Sequence, residues 1–224
     1  MAESLINYLP MKMIDEISQL LFPTRCYGCS RLGHSICTDC RREWIPHYYK
    51  TQLEELKVHS AVLYTPTASK IIMAAKESSL NGADQLIIAA FFHVLEKAKL
   101  NSYFYQLVPV PSSKRSQRRR GRSFIVDLTN QLSNNSGIAM NDCLQLSRPV
   151  KDQSGLTRRE RISNMKGAFS LKPGAVVRGE LILIDDVVTT GATLQEAARA
   201  LNSQGFHAVG SVSAVTACVA LPLR

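Results

Sequence analysis

The sequence predicts an α/β fold, a mostly parallel sheet flanked by helices, behind a small N-terminal module built on four cysteines. Three observations carry this. From about residue 59 onward, short apolar runs alternate with segments of helical period, the signature of βαβ units. One run, Leu181-Ile182-Leu183-Ile184, is fully apolar and ends on two carboxylates and a Thr/Gly turn. Near the start, Cys26, Cys29, Cys37 and Cys40 form two C-x2-C pairs with seven residues between them.

The elements follow in order. Residues 5–22 read as an amphipathic helix interrupted near Pro10, with Ile14, Ile17, Leu20 and Leu21 at helical spacing. After the cysteines, residues 44–58 read as a connection, so the chain divides into a module over 1–58 and a main domain over 59–224. Strands are expected at 60–64, 106–110, 143–146, 181–184 and 209–216. Helices are expected at 68–77 (Ile71, Ile72 and Ala75 on one face), 84–99, 125–132 and 192–204, the last stopped by Gly205. In such folds ligands sit at the carboxyl ends of the strands.

Composition narrows the classes. With 224 residues, 45% of them hydrophobic, the chain is an ordinary globular one able to bury a core without disulfides. No apolar run reaches the length of a membrane span, and charges interrupt any secretory signal, so a cytoplasmic protein is expected. The formal net charge is +9, yet residues 1–60 hold seven basic and seven acidic side chains. The excess lies wholly in residues 61–224, which points to a polyanion or a phosphorylated ligand. A merely basic surface is the plainer alternative.

Four thiolates from two C-x2-C turns complete a tetrahedral zinc ion and leave no position open, so the site is expected to be structural. Gly28 and Gly33 are expected to give the turns their freedom. Two disulfides or four unrelated buried thiols are the alternatives, disfavoured in a reducing compartment. His34 stands beside the cysteines as a substitute ligand, and Cys143 and Cys218 read as core.

In the segment from Leu181 to Thr193, a buried strand delivers Asp185 and Asp186 to the mouth of the sheet. Val187, Val188, Thr189, Thr190, Gly191, Ala192 and Thr193 then lead into a helix. Hydroxyls and free amides at a helix N-terminus suit a phosphate, and the carboxylates suit sugar hydroxyls, directly or through Mg2+. Other phosphate motifs are missing: there is neither G-x4-G-K-[ST] nor a G-x-G-x-x-G after a strand.

Upstream, Val108-Pro109-Val110-Pro111 ends a strand and enters a run, residues 112–122, with six basic side chains and no acidic one. Ser112, Lys114 and Arg115 are the candidates for a diphosphate. Arg118, Arg119, Arg120 and Arg122 exceed what one diphosphate needs and are assigned to a longer polyanion. Residues 148–166 read as a mobile lid, with Arg161 and Asn164 facing the ligand. Phe124 and Tyr103-Phe104-Tyr105 are aromatic stacking candidates, for which core or rim positions are the plainer reading.

The segment 181–193 resembles the phosphoribosyl-pyrophosphate (PRPP) motif of type I phosphoribosyltransferases. By that resemblance, Asp185 and Asp186 are the catalytic carboxylates on the ribose 2' and 3' hydroxyls, and residues 189–193 bind the 5'-phosphate. The implied chemistry is displacement of pyrophosphate from C1 of PRPP, with Mg2+ on the pyrophosphate. With the four-cysteine module, the basic run and the Gln153-x2-Leu156-x4-Arg161-x2-Asn164 pattern, the chain is similar to the ComF family. After the basic run it reads Gly121-Arg122-Ser123-Phe124, where many relatives read Gly-Phe-Asn-Gln. This resemblance implies PRPP and single-stranded DNA as partners, with proteins of the competence machinery, in natural transformation. An active salvage phosphoribosyltransferase and a nucleic-acid-binding adaptor with a vestigial PRPP site remain the alternatives.

Overall fold

A computed structural model describes residues 23–77, 81–151 and 155–217. The expected helix over 5–22, and Cys218, lie outside the described residues. In chain order the elements are α1 (Thr38–Glu43), β1 (Tyr49–Leu53), β2 (Leu56–Leu63), α2 (Pro66–Glu77), α3 (Asn81–Lys97), β3 (Tyr105–Pro109), α4 (Lys114–Arg120) and α5 (Phe124–Ser136). They continue with β4 (Ala139–Met140), β5 (Leu144–Leu146), α6 (Arg158–Met165), β6 (Phe169–Leu171), β7 (Glu180–Val188), α7 (Ala192–Asn202) and β8 (Ala208–Thr216).

Six strands form one sheet in the order β1-β2-β8-β7-β3-β4. Only the edge pair β1–β2 is antiparallel. The centre is β7, whose run of four apolar residues is buried on both faces, as parallel strands must be. Alternation along it feeds two cores. Ile182 and Ile184 pack with Ile71, Phe91 and Leu128 of α2, α3 and α5. Leu181 and Leu183 pack on the other face with Leu194 and Leu201 of α7 and with Leu144 and Phe169 of the antiparallel β5–β6 pair. Each such side chain contributes about 1.5–3 kcal/mol by leaving water. Strand β2 joins the sheet against β8, where the Ser60 and Ser213 hydroxyls lie 2.6 Å apart across 153 residues of sequence.

Three features depart from the sequence reading. Residues 49–53, expected as connection, form β1, and β2 runs straight through the expected boundary at 58/59. The cysteine module also shares its core with the main domain, since Cys26, Ile36, Cys40 and Trp44 pack in one cluster with Ile71 and Ile87. The Trp44 indole N–H donates to the Leu86 carbonyl at 3.3 Å. Finally, the basic run and the expected lid each contain a helix, α4 and α6.

Buried His59 on β2 faces the Tyr48 hydroxyl at 2.8 Å through Nδ1. Burial, and then Lys50 and Lys57, push its pKa down to about 4. The folded chain therefore binds fewer protons than the unfolded chain between that value and the ordinary 6.5 or so. His59 contributes stability that is fully present above the unfolded value and is lost as pH falls toward 4. Thermal melts should show a loss of up to about 2 kcal/mol between pH 7.5 and pH 5. The loss should shrink in His59→Gln, and equal slopes in both proteins would remove the histidine from this account.

Candidate functional site

The site arises where two neighbours of β7 behave differently. Strand β3 pairs with β7 only as far as Pro109 opposite Ile184, and the Val110 N–H makes one more bond to the Ile184 carbonyl at 3.0 Å. Beyond it Pro111 turns the chain away. On the other side β8 keeps pairing to Val188 opposite Thr216. From β3 the chain crosses outward to β4, and from β7 it crosses the opposite way to β8. The two connections diverge, which opens a crevice at the carboxyl ends. A cavity of about 420 Å³ lies there.

Asp185 and Asp186 stand on the stretch of β7 that β3 has left, and both line the cavity. The strand thus continues through the acidic pair to Val188, four residues beyond the apolar run. The Asp186 N–H donates to Asp185 Oδ1 at 2.9 Å. The Lys76 ammonium, from the end of α2, makes an ion pair with Asp186. Burial would raise the Asp186 carboxyl, but Lys76 outweighs it and holds the pKa below the ordinary value. Asp185 is pushed well up, first by burial and then by the Asp186 charge. The two adjacent carboxyls are thus driven in opposite directions, Asp186 toward its charged form and Asp185 toward its neutral one.

After Val188 the chain turns through Thr189, Thr190 and Gly191. Gly191 has φ +78°, and a Cβ there would stand 2.1 Å from Leu53 Cδ1, so the turn needs glycine on both counts. The Ala192 N–H donates to Thr190 Oγ1 at 3.3 Å, and Gly191, the N-cap of α7, has no side chain to cap it with. Thr189, Thr190, Gly191 and Thr193 line the cavity with Val187, whereas Val188 and Ala192 are buried in the second core.

The expected cations separate. Ser112, Ser113 and Ser116 line the cavity, as does Arg120, one helical turn beyond Ser116 on α4. Arg115, Arg118 and Arg119 are exposed and do not line it. The side chain of Lys114 lies outside the described residues. Arg122 is not free for a polyanion. It grips Asp84, 2% exposed, through two bonds of 2.6 and 2.8 Å, and donates to the Ala75 carbonyl at 2.8 Å. Arg161 lines the cavity and donates to Thr189 Oγ1 at 2.9 Å. Asn164 does not face it. Its amide bonds the backbone of Lys151 in both directions at 3.0 Å, tying α6 to the strand-end segment. Phe124 is core, while Tyr103 and Phe104, 81% and 63% exposed, stack on each other at the opposite end of β3.

The four cysteine sulfurs lie within 4.8 Å of one another. Tetrahedral zinc with bonds of about 2.3 Å needs sulfurs about 3.8 Å apart, and Cys29 and Cys37 stand at 3.7 Å. The Cys37 N–H donates to Cys26 Sγ at 3.3 Å, the kind of bond a thiolate ligand accepts. Burial would raise the Cys26 thiol, but backbone amides, that of Cys37 first, bring its pKa to about 6. Burial pushes the Cys40 thiol up. The cluster is compatible with structural zinc, and His34 is exposed outside it. Gly33 takes φ +106° as expected, but Gly28 has an ordinary φ. Its role is space, since a Cβ would stand 2.7 Å from Cys40 Sγ and 2.8 Å from Thr67 Cγ2 on α2.

Over 109 residues the chain is 35% identical to Competence protein F of Haemophilus influenzae, a stretch covering 46% of each protein. The chain is similar to Competence protein F. The match thus spans about half the length of that relative. No family model matches the chain. Among solved structures, an adenine phosphoribosyltransferase is similar at 15% identity, over 79% of this chain and 88% of that one, with a TM-score of 0.44. An orotate phosphoribosyltransferase from Aeropyrum pernix is similar at 12% identity, over 79% and 78%, with a TM-score of 0.40.

Sequence reasoning missed Lys76. The signal was present: Ser69, Ile72, Met73 and Lys76 share one helical stripe, and all four line the cavity. It also missed what Gly28 is for. Metal analysis of the purified protein should give about one zinc per chain, lost in Cys26→Ser/Cys29→Ser. Gly28→Ala should lower zinc retention against a chelator, because the added methyl meets Cys40 and Thr67. Full retention would mean the helix gives way without cost.

Proposed function

We propose that the cavity binds PRPP and that this chain is a ComF-like protein handling incoming single-stranded DNA in natural transformation. What supports the reading is the placement of Asp185 and Asp186 beside the 189–193 turn, with Arg120, Lys151 and Arg161 around the same cavity. The hydroxyls of the turn and the amides at the start of α7 hold the 5'-phosphate. The carboxylates take the ring hydroxyls, and Ser112, Ser113 and Arg120 take the diphosphate. The diphosphate's hard oxygens would carry Mg2+, which would supply further neutralisation of its charge beside Arg120. Fixed cations around a departing diphosphate lower the cost of its developing charge, the main lever available at such a site. Arg161, seated on Thr189, releases that hydroxyl to the phosphate and closes α6 over the ligand.

Arg115, Arg118 and Arg119, on the outer side of α4, continue the positive charge from the cavity rim onto the surface. We assign them to the backbone of single-stranded DNA, and the competence role brings proteins of that machinery as partners in the cytoplasm. A second reading, an active salvage phosphoribosyltransferase, draws on the apolar part of the cavity lining. There Tyr64, Ile72 and Met73 offer an apolar surface for an acceptor base. Pyrophosphate release with a panel of bases separates the two.

Calorimetric titration with PRPP and Mg2+ should show binding to the wild type, weakened at least about tenfold in Asp185→Asn/Asp186→Asn. A folded wild type that binds no PRPP would overturn the reading. Arg115→Ala/Arg118→Ala/Arg119→Ala should weaken single-stranded DNA binding and flatten its salt dependence by about two units of slope. PRPP binding should survive, and an unchanged DNA affinity would clear α4 of the role.

A further inference from the structure

Two carboxyls side by side in a half-closed cavity are an unfavourable place for a phosphorylated sugar, unless something holds one of them and offsets its charge. Lys76 does both. Its side chain is 18% exposed and the Asp186 side chain 9%, so their ion pair is largely withdrawn from water. The ammonium also lies 5.8 Å from the centre of the Phe124 ring. Its backbone is anchored next door, because Arg122, locked to Asp84, donates to the Ala75 carbonyl. The other cations at the cavity have different contacts: Arg161 bonds Thr189, and no ion pair joins Arg120 or Lys151 to an acid among the described residues.

We propose that Lys76 is the third member of the acidic pair, a positioning residue that fixes the Asp186 carboxylate for the vicinal hydroxyls of a sugar phosphate. The proposal rests on the phosphosugar reading above and deepens it by naming what sets the sugar half of the site. Lys76 reaches Asp186 from the end of α2, on the face of β7 that carries Ile182 and Ile184, and both side chains line the cavity, so it fixes the carboxylate in the wall that meets the ligand. The phosphate half, built by the 189–193 turn and α7, does not depend on it. A ligand with phosphate and no ring hydroxyls is therefore indifferent to Lys76, and a ligand with both needs it.

This asymmetry is the test. NMR titrations would follow the amides of residues 189–193 in wild type, Lys76→Met and Lys76→Arg, with ribose 5-phosphate and with inorganic phosphate. Lys76→Met should weaken ribose 5-phosphate about tenfold or more and inorganic phosphate less than about twofold; Lys76→Arg should recover most of the loss. Equal loss for both ligands would reduce Lys76 to a structural role, and no loss for either would overturn the proposal. A wild type that binds phosphate but not ribose 5-phosphate would instead overturn the phosphosugar reading. The ion pair is tested without ligand by melts of Lys76→Met, Asp186→Asn and the double variant. Asp186→Asn should restore part of the stability that Lys76→Met removes, and strict additivity would sink the pair itself.

Discussion

Adjacent carboxyls at the end of a buried strand can persist only if their charge is managed, and that constraint reaches through much of the molecule. Lys76 holds Asp186 toward its charged form, and Lys76 meets it because α2 ends where it does. That end is held by Arg122, which spans from the start of α5 to the Ala75 carbonyl and to Asp84 at the start of α3. The beginning of the same helix is held by the cysteine module, whose Gly28 leaves no room between Cys40 and Thr67. A helix clamped at both ends thus sets the electrostatics of a strand nine elements further along the chain. Removing either clamp leaves a carboxylate in low dielectric without its counter-charge, the situation proteins tolerate least.

What was legible in the sequence was whatever rests on local period or composition. The apolar strand ending in Asp185-Asp186, the turn through Gly191, the long helices and the four-cysteine spacing all follow from nearest-neighbour chemistry. What was hidden depends on partners distant in the chain. The hairpin β1–β2 turns at Glu54-Glu55, with Glu54 at φ +54°, and has none of the Gly or Asn residues that announce such turns. Helix α4 is made almost wholly of polar residues, so it has no apolar stripe to detect. Its boundaries, Ser113 as N-cap and Gly121 in the left-handed C-cap, were the readable signs.

The basic run shows the same lesson at the level of single side chains. Its arginines read alike in sequence, yet the fold gives them three employments: Arg120 at the cavity, Arg122 in a buried clamp, and Arg115, Arg118 and Arg119 in water. Helical spacing decides the first and last of these, and a buried aspartate on a distant helix decides the second. Net charge gave no means of telling them apart.

The seam between Ser60 and Ser213 bears on how the chain comes into being. Strand β2 leaves the ribosome long before β8, the last described strand and its inner neighbour in the sheet. The cysteines, by contrast, span only residues 26–40 and can gather around an ion as soon as they emerge. During synthesis the cysteine cluster can therefore form before the sheet, and β2 waits with one edge open until Ser213, 153 residues after Ser60, has emerged. Long-range parallel pairing of this kind is slow and prone to wrong partners, which places the hazard of misassembly in the interval between the emergence of β2 and that of β8.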